Sequence, residues 1–169
     1  TYLGFSAGYS ATTATNNAYI GFEAGYYSTG SANVAIGWKA MYGSSGNTTG
    51  SNNLCIGKTA GYNLTSGATN TFFGNNAGDS VTTGANNLVL GFGADTSSAT
   101  VSNEITLGNS SISSLRIPGL QSGASNGQVL TYNSTNGNIV LADAGGGGAS
   151  AINDLSDAKT DNSDAALGL

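Results

Sequence analysis

One short pattern recurs seven times along the first 108 residues. Each copy has three mostly apolar residues followed by a glycine, as in AYIG, LCIG and LVLG. The glycines are Gly4, Gly21, Gly37, Gly57, Gly74, Gly91 and Gly108, at intervals of 17, 16, 20, 17, 17 and 17 residues. A fixed period of this length is typical of solenoids, in which each repeat packs mainly on its neighbours. The sequence therefore predicts a rod of stacked coils.

The three residues before each glycine indicate a β-strand with two apolar faces. Side chains one and three residues before the glycine share a face, because side chains alternate along a strand. We assign this face to the interior and call its last column the core ladder: Leu3, Ile20, Ile36, Ile56, Phe73, Leu90 and Leu107. The middle residue faces the other way and is also mostly apolar. A strand that is apolar on both faces is buried on both, so the second face predicts a partner, of which another copy of this chain is the simplest.

Two further columns support stacking. Asparagine is favoured four residues before the glycine, where parallel coils would stack its side chains about 4.8 Å apart in a hydrogen-bonded ladder. The same stacking explains why only 8% of residues are charged, since like charges in register repel one another. The recurring glycine marks a corner of the coil. Blocks such as Ala24-Gly25-Tyr26 follow it, and we expect their glycine to adopt positive φ.

The motif N-x-[VAL]-x-[IL]-G, seen as NVAIG at 33–37, resembles the head repeats of trimeric autotransporter adhesins. That resemblance implies a homotrimer of parallel β-rolls, although the adhesin repeat is shorter. With its AGY and TTGxNN blocks, the longer repeat is similar to repeats in tail fibres and structural fibre proteins of bacteriophages, marine ones in particular. Residues 127–148 and 151–163 also resemble connector modules of those fibres. The resemblance implies a virion appendage or extracellular location, with other appendage proteins as partners.

The pattern divides the chain into three segments. Residues 1–108 are predicted to form an all-β parallel solenoid, or β-roll, of seven rungs with coils of about 17 residues. Residues 109–144 form a β-hairpin connector, since Asn136-Gly137 lies between two β-rich runs. Residues 145–169 form a glycine-rich hinge and a linker or stalk that continues into further repeats. The spacing of Ile152, Leu155 and Ala158 permits a short helix there, and a disordered tail is the equal alternative.

The composition argues against an enzyme. The chain has no His, which excludes a Ser-His-Asp or Cys-His site. Its one cysteine, Cys55, suits a small apolar filler. The carboxylates of the repeats (Glu23, Asp79, Asp95 and Glu104) occupy different repeat positions, so their spacing fixes no catalytic pair. We therefore predict no catalytic residues, no cofactor and no metal site.

Partner classes are also limited by the sequence. Four cations form no basic stripe for nucleic acid, and no apolar run approaches the roughly 20 residues of a membrane span. We expect a structural fibre segment of a phage appendage that supports host attachment.

The alternative is a receptor-binding adhesin head that meets a host-cell glycan or protein. Trp38, Tyr42 and Tyr27 are its candidate contacts, because they interrupt the pattern around the 20-residue third repeat. Packing in a trimer interface is the competing interpretation of these three aromatic residues. Ice binding is disfavoured because Thr clusters in the turns instead of alternating along one face.

Overall fold

The computed structural model describes residues 1–43, 46, 48–117, 128–133 and 138–143. The described part of the chain is all-β and contains no helix. The chain divides into two units, Thr1–Ser113 and Ser114–Leu169. The predicted hinge at 145–148, the short helix or disordered tail beyond it and the continuation into further repeats lie outside the described residues.

Seven short strands form one parallel sheet in which each strand pairs with the next along the chain. They are β1 (Tyr2–Leu3), β2 (Ala18–Ile20), β3 (Val34–Ile36), β4 (Leu54–Ile56), β5 (Thr71–Phe73), β6 (Leu88–Leu90) and β7 (Ile105–Leu107). The register aligns each residue with its counterpart one repeat later, for example Cys55 with Phe72. The predicted parallel β-solenoid with coils of about 17 residues is therefore confirmed. Its homotrimeric state stays a prediction.

The two faces of the strands are opposite to our assignment. The middle residues Tyr19, Ala35, Cys55, Phe72 and Val89 are all 0% exposed. The core ladder lies on the outer face instead, with members that are exposed or only half-buried: Leu3, Ile20, Ile36, Ile56, Phe73, Leu90 and Leu107. The interior assignment of this ladder was wrong. The asparagine column is buried, and it shares a face with the middle residue because the two are two positions apart.

The interior of each coil is narrow, and its residues compensate one another in size. A Cβ placed on Gly25 would collide with the Tyr19 ring of the same coil, and a Cβ placed on Gly78 would collide with the Phe72 ring of its coil. In the third coil the middle residue is the small Ala35, and the fully buried Met41 stands where other repeats have glycine. Close packing favours a large residue at one of these positions where the other is small, which accounts for AMY in place of AGY in this repeat.

The corner glycines allow successive coils to approach closely. All seven have positive φ: Gly4, Gly21, Gly37, Gly57, Gly74, Gly91 and Gly108. Positive φ was predicted for the glycines of the AGY blocks, and Gly8, Gly25, Gly61 and Gly78 confirm it. A Cβ on Gly37 (φ 134°) would collide with the backbone carbonyl of Gly57 in the next coil. Only glycine satisfies both the backbone conformation and the close approach.

The asparagine ladder is confirmed, and each side chain bonds mainly to the backbone of the next coil. The Asn53 Oδ1 accepts a hydrogen bond from the backbone N–H of Asn70 at 3.0 Å. Its Nδ2 donates to the Gly67 carbonyl at 3.0 Å and to Asn33 Oδ1 at 3.2 Å. The same backbone bonds recur along the column formed by Asn17, Asn33, Asn53, Asn70 and Asn87. Each asparagine therefore ties its coil to the next at two points.

The second unit contains the predicted hairpin strands. Strand β8 (Gln128–Asn133) pairs antiparallel with β9 (Asn138–Asp143), so that Gln128 aligns with Asp143 and Asn133 with Asn138. This pairing confirms the hairpin strands, while the predicted turn at 134–137 lies outside the described residues.

The corrected faces predict opposite effects for two adjacent substitutions. Val89→Asp should unfold the surrounding coils, because an unpaired buried charge costs several kcal/mol. Leu90→Asp should leave the β-sheet signal intact, since the Leu90 side chain is 45% exposed. Circular dichroism with a denaturant titration compares the two variants. Loss of structure in Leu90→Asp with retention in Val89→Asp would restore the original assignment.

The ladder predicts a large effect for Asn53→Ala. This change leaves the Asn70 N–H and the Gly67 carbonyl without their side-chain partners, and each unsatisfied buried group costs about 1–3 kcal/mol. The free energy of unfolding should therefore fall by about 2–6 kcal/mol. The neighbouring Asn52→Gly is the control, because Asn52 is exposed and has φ 60°, which glycine tolerates. Equal effects of the two changes would argue against the ladder.

Candidate functional site

The three predicted receptor contacts lie together around one lysine. The Lys39 Nζ is 4.9 Å from the centroid of the Trp38 ring and 4.8 Å from that of Tyr42. Tyr27 packs edge-on against Tyr42, with ring centroids 5.3 Å apart. We call Tyr27, Trp38, Lys39 and Tyr42 the aromatic cluster. Trp38 is its exposed member, at 45%.

Charges from neighbouring coils hold this cluster. Lys39 Nζ lies 3.2 Å from the Glu23 carboxylate, and this close contact with Glu23 raises the pKa of Lys39. Lys58 of the following coil places its Nζ 5.5 Å from the Trp38 ring centroid. Sequence reasoning missed these three charged residues. The signal was present, because Glu23 and Lys39 stand two residues after the corner glycine in consecutive repeats.

A stack of tyrosines runs through the aromatic cluster along the rod. The stacked residues are Tyr9, Tyr26, Tyr42 and Tyr62, with successive ring centroids 4.9, 5.5 and 5.2 Å apart. Because these rings face one another, most of their faces are covered within the chain. The stack therefore offers a ligand ring edges and hydroxyl groups, which suit hydrogen bonds better than sugar stacking.

The outer face of the strands is a second surface. It carries the former core ladder and the residues two positions earlier, among them Leu88 at 37% and Ile105 at 70% exposure. Exposed aromatic residues follow the corner glycines nearby, and two of them, Phe5 and Phe22, stack with centroids 5.3 Å apart. We call the strand part of this surface the outer apolar face. Continuous apolar surfaces of this kind mark interaction sites in soluble proteins.

A shallow groove of about 330 Å³ runs beside the last three strands of the solenoid. It is lined by Thr69, Thr71, Asn86, Asn87, Leu88, Asn103 and Ile105. Asn86 donates to Asn103 Oδ1 at 2.8 Å, and the Asn87 side chain belongs to the ladder. The groove contains no charged side chain, so its chemistry is that of amides, hydroxyls and aliphatic groups.

The carboxylates of the solenoid have separate structural partners. Glu23 pairs with Lys39, Asp79 accepts from Asn76, and Asp95 accepts from backbone N–H groups. Within the described ranges, no three His, Cys, Asp or Glu side chains are grouped so as to hold a metal ion. No helix capable of spanning a membrane is found among the same residues.

Cys55 is a small apolar filler, as predicted, but it lies in the interior and not on the outer face to which its column was assigned. Its side chain is fully buried beneath the strand, and this burial raises the pKa of the thiol to about 12. A buried, protonated thiol is a poor nucleophile.

Comparison of the chain with protein-family models, with curated proteins and with solved structures finds no match. The functional argument therefore depends on the two surfaces of the solenoid, the aromatic cluster and the outer apolar face.

Proposed function

We propose that this chain is a structural segment of a phage appendage, a tail fibre or similar virion fibre, that supports host attachment as a homotrimer. The outer apolar face is the observation that supports the proposal. Seven consecutive rungs each present an aliphatic or aromatic side chain outward. A partner must cover such a face in water, and identical chains side by side supply a matching one.

The size of the face is consistent with self-association. Its strand residues include Leu3, Phe73, Ile105 and Leu107, each of which is 50–70% exposed. Apolar surface that continues over seven strands is typical of a protein–protein interface. The face also contains no charged residue, so its burial leaves no charge unpaired.

The coil construction suits a stiff mechanical element. Hydrogen bonds from the backbone and from the asparagine side chains join every coil to the next. The seven rungs span roughly 29 Å at about 4.8 Å per step. A short rod of this kind extends a fibre without independently moving parts, and its natural partners are copies of itself and the other proteins of the appendage.

The oligomeric state tests this proposal directly. Light scattering should give about three times the 16.6 kDa mass of one chain, and electron microscopy should show an elongated particle. The double variant Ile20→Asp/Leu90→Asp, whose two changes lie in β2 and β6 and so do not face each other within one chain, should dissociate to monomers while retaining its β-sheet signal, because buried like charges would then meet across the interface. Thr83→Asp, on an exposed turn, is the matched control. A wild-type chain that stays monomeric at micromolar concentration contradicts the proposal.

The aromatic cluster favours a second candidate function, a receptor-binding adhesin head. Trp38 is exposed beside two lysines and the hydroxyl edges of the tyrosine stack. An aromatic ring next to cationic and hydroxyl groups suits a host-cell glycan or protein surface. This cluster occupies one region of the rod, whereas the outer apolar face follows its whole length.

Trp38→Ala should reduce adhesion at least tenfold if the second function holds, as expected for the loss of a central aromatic contact. Phe22→Ala is the matched control, because Phe22 has the same repeat position one coil earlier and is 41% exposed. Binding of the fluorescently labelled chain to a panel of bacterial cells and surface polysaccharides provides the measurement. Undiminished binding by Trp38→Ala would remove the cluster as a receptor site and leave the fibre proposal untouched.

A further inference from the structure

The seventh coil departs from the repeat where it faces the end of the stack. The asparagine position is taken by Glu104, and the buried middle position of the strand by Thr106. In the preceding two coils that middle residue is Phe72 or Val89. No small-residue block like AGY follows Gly108. The interior of the solenoid therefore becomes polar at its last rung.

The asparagine ladder ends at Glu104. Its backbone N–H donates to Asn87 Oδ1 at 3.0 Å, as an asparagine in this column would do. Its carboxylate accepts hydrogen bonds from the Ser97 N–H at 2.8 Å, the Ser97 hydroxyl at 2.5 Å and the Thr106 hydroxyl at 3.1 Å. The side chain is thus engaged by its own coil, whereas each asparagine bonds to the next coil.

The corner at Gly108 is also closed. Its φ is 79°, compared with 125–143° at the six earlier corner glycines. A Cβ on Gly108 would meet the side chain of Ile112, whereas Cβ atoms on the earlier corner glycines would meet the glycine of the following coil. The turn that carries Ile112 is held by the bond from the Ile112 N–H to the Asn109 carbonyl at 3.0 Å. Ile112 therefore packs against the last corner of the solenoid.

We propose that Glu104, Thr106 and Ile112 form an end cap that stops the solenoid, with the Glu104 carboxylate as its latch. Strand β7 is an edge of the parallel sheet, and an open edge is a template for another strand. An eighth coil would have to displace Ile112 and cover an ionised carboxylate, which is unfavourable without a paired cation. Polar terminal repeats of this kind keep solenoids from stacking end to end.

The latch gives the cap a pH dependence. The hydrogen bonds from Ser97 hold the pKa of Glu104 below its ordinary value of 4.5, and no charged group contributes to this shift. A lowered pKa in the folded state means that ionised Glu104 stabilises the cap above pH 4.5. This contribution is lost as the pH falls through the lowered pKa. The seventh coil should therefore open first in acid.

Hydrogen exchange on the 169-residue chain tests the latch. At pH 6, Glu104→Gln should lower the protection factors of the β7 amides about tenfold, with little effect on β3. Wild-type protection at β7 should fall to the level of the variant as the pH drops from 4.5 through the lowered pKa of Glu104, whereas the variant should change little over this range. Glu23→Gln, which changes the chain's other glutamate, is the control and should leave β7 as in wild type. Equal β7 protection in wild type and Glu104→Gln at pH 6 would overturn the latch.

A second variant tests whether the end cap prevents another copy of the chain from stacking on β7. Glu104→Asn/Thr106→Val/Ile112→Gly restores the residues of an ordinary rung and frees the corner. Its sedimentation profile should show species at least twice the wild-type mass that grow with concentration, because β7 then matches the open edge β1 of another copy. A profile identical to that of wild type would show that these three residues do not limit stacking. Both readouts are relative to wild type, so they do not depend on the oligomeric state of the fibre proposal.

Discussion

The bond between each asparagine side chain and the backbone of the next coil determines the register of the whole solenoid. Asn33, for example, accepts from the N–H of Asn53 and donates to the Gly50 carbonyl. A slip of one residue would turn this buried amide to the outside and leave both backbone groups unsatisfied. With the register fixed in this way, each residue stacks on the residue at the same repeat position in the adjacent coil. The glycine corners, the tyrosine stack and the outer apolar face all follow from that alignment.

The same alignment restricts charge. Two like charges at one repeat position in consecutive coils would face each other at the spacing of a β-sheet. The described solenoid places a charge two residues after the corner glycine in only two coils, and these charges are opposite: Glu23 and Lys39, 3.2 Å apart. Glu104 is tolerated at the asparagine position because, in the described part, no further coil lies over it. The low charge content is thus a consequence of in-register stacking.

Most of the fold could be predicted from the period of the repeat, but the face of each strand that points into the solenoid was predicted wrongly. The strands, corner glycines and asparagine ladder each follow from residues that recur at fixed spacing. The faces were reversed because Ile and Leu are the usual core residues, and their columns were taken as the interior. The interior is instead too narrow for a large side chain in every column, and it holds Ala24, Ala60 and Cys55 beside the asparagines. Since Asn53 and Cys55 are two positions apart, the burial of the ladder was the signal that fixes the face.

The candidate site was predictable only in part for a related reason. Trp38, Tyr27 and Tyr42 stood out as departures from the repeat, and they do cluster. Lys39 and Glu23 were missed because their contact joins residues 16 positions apart. The repeat alignment places both residues two positions after a corner glycine, so the contact could have been found by aligning the charged residues in the same way as the apolar ones.

The separation of interior and exterior has a consequence for function. Inside, Ala35 is accompanied by Met41 and Phe72 by Gly78, so a large side chain at one of these positions goes with a small residue at the other. Outside, the residue after the corner glycine changes freely and is Phe22, Trp38, Lys58, Asn75 or Phe92 in different coils. These side chains lie on the surface, so their replacement costs the coil little stability. A solenoid built in this way can change the chemistry that it presents to a partner while the hydrogen bonds that hold its coils stay the same. A change of partner therefore requires substitutions in the outer columns, whereas folding depends on the asparagines, the glycines and the small interior residues.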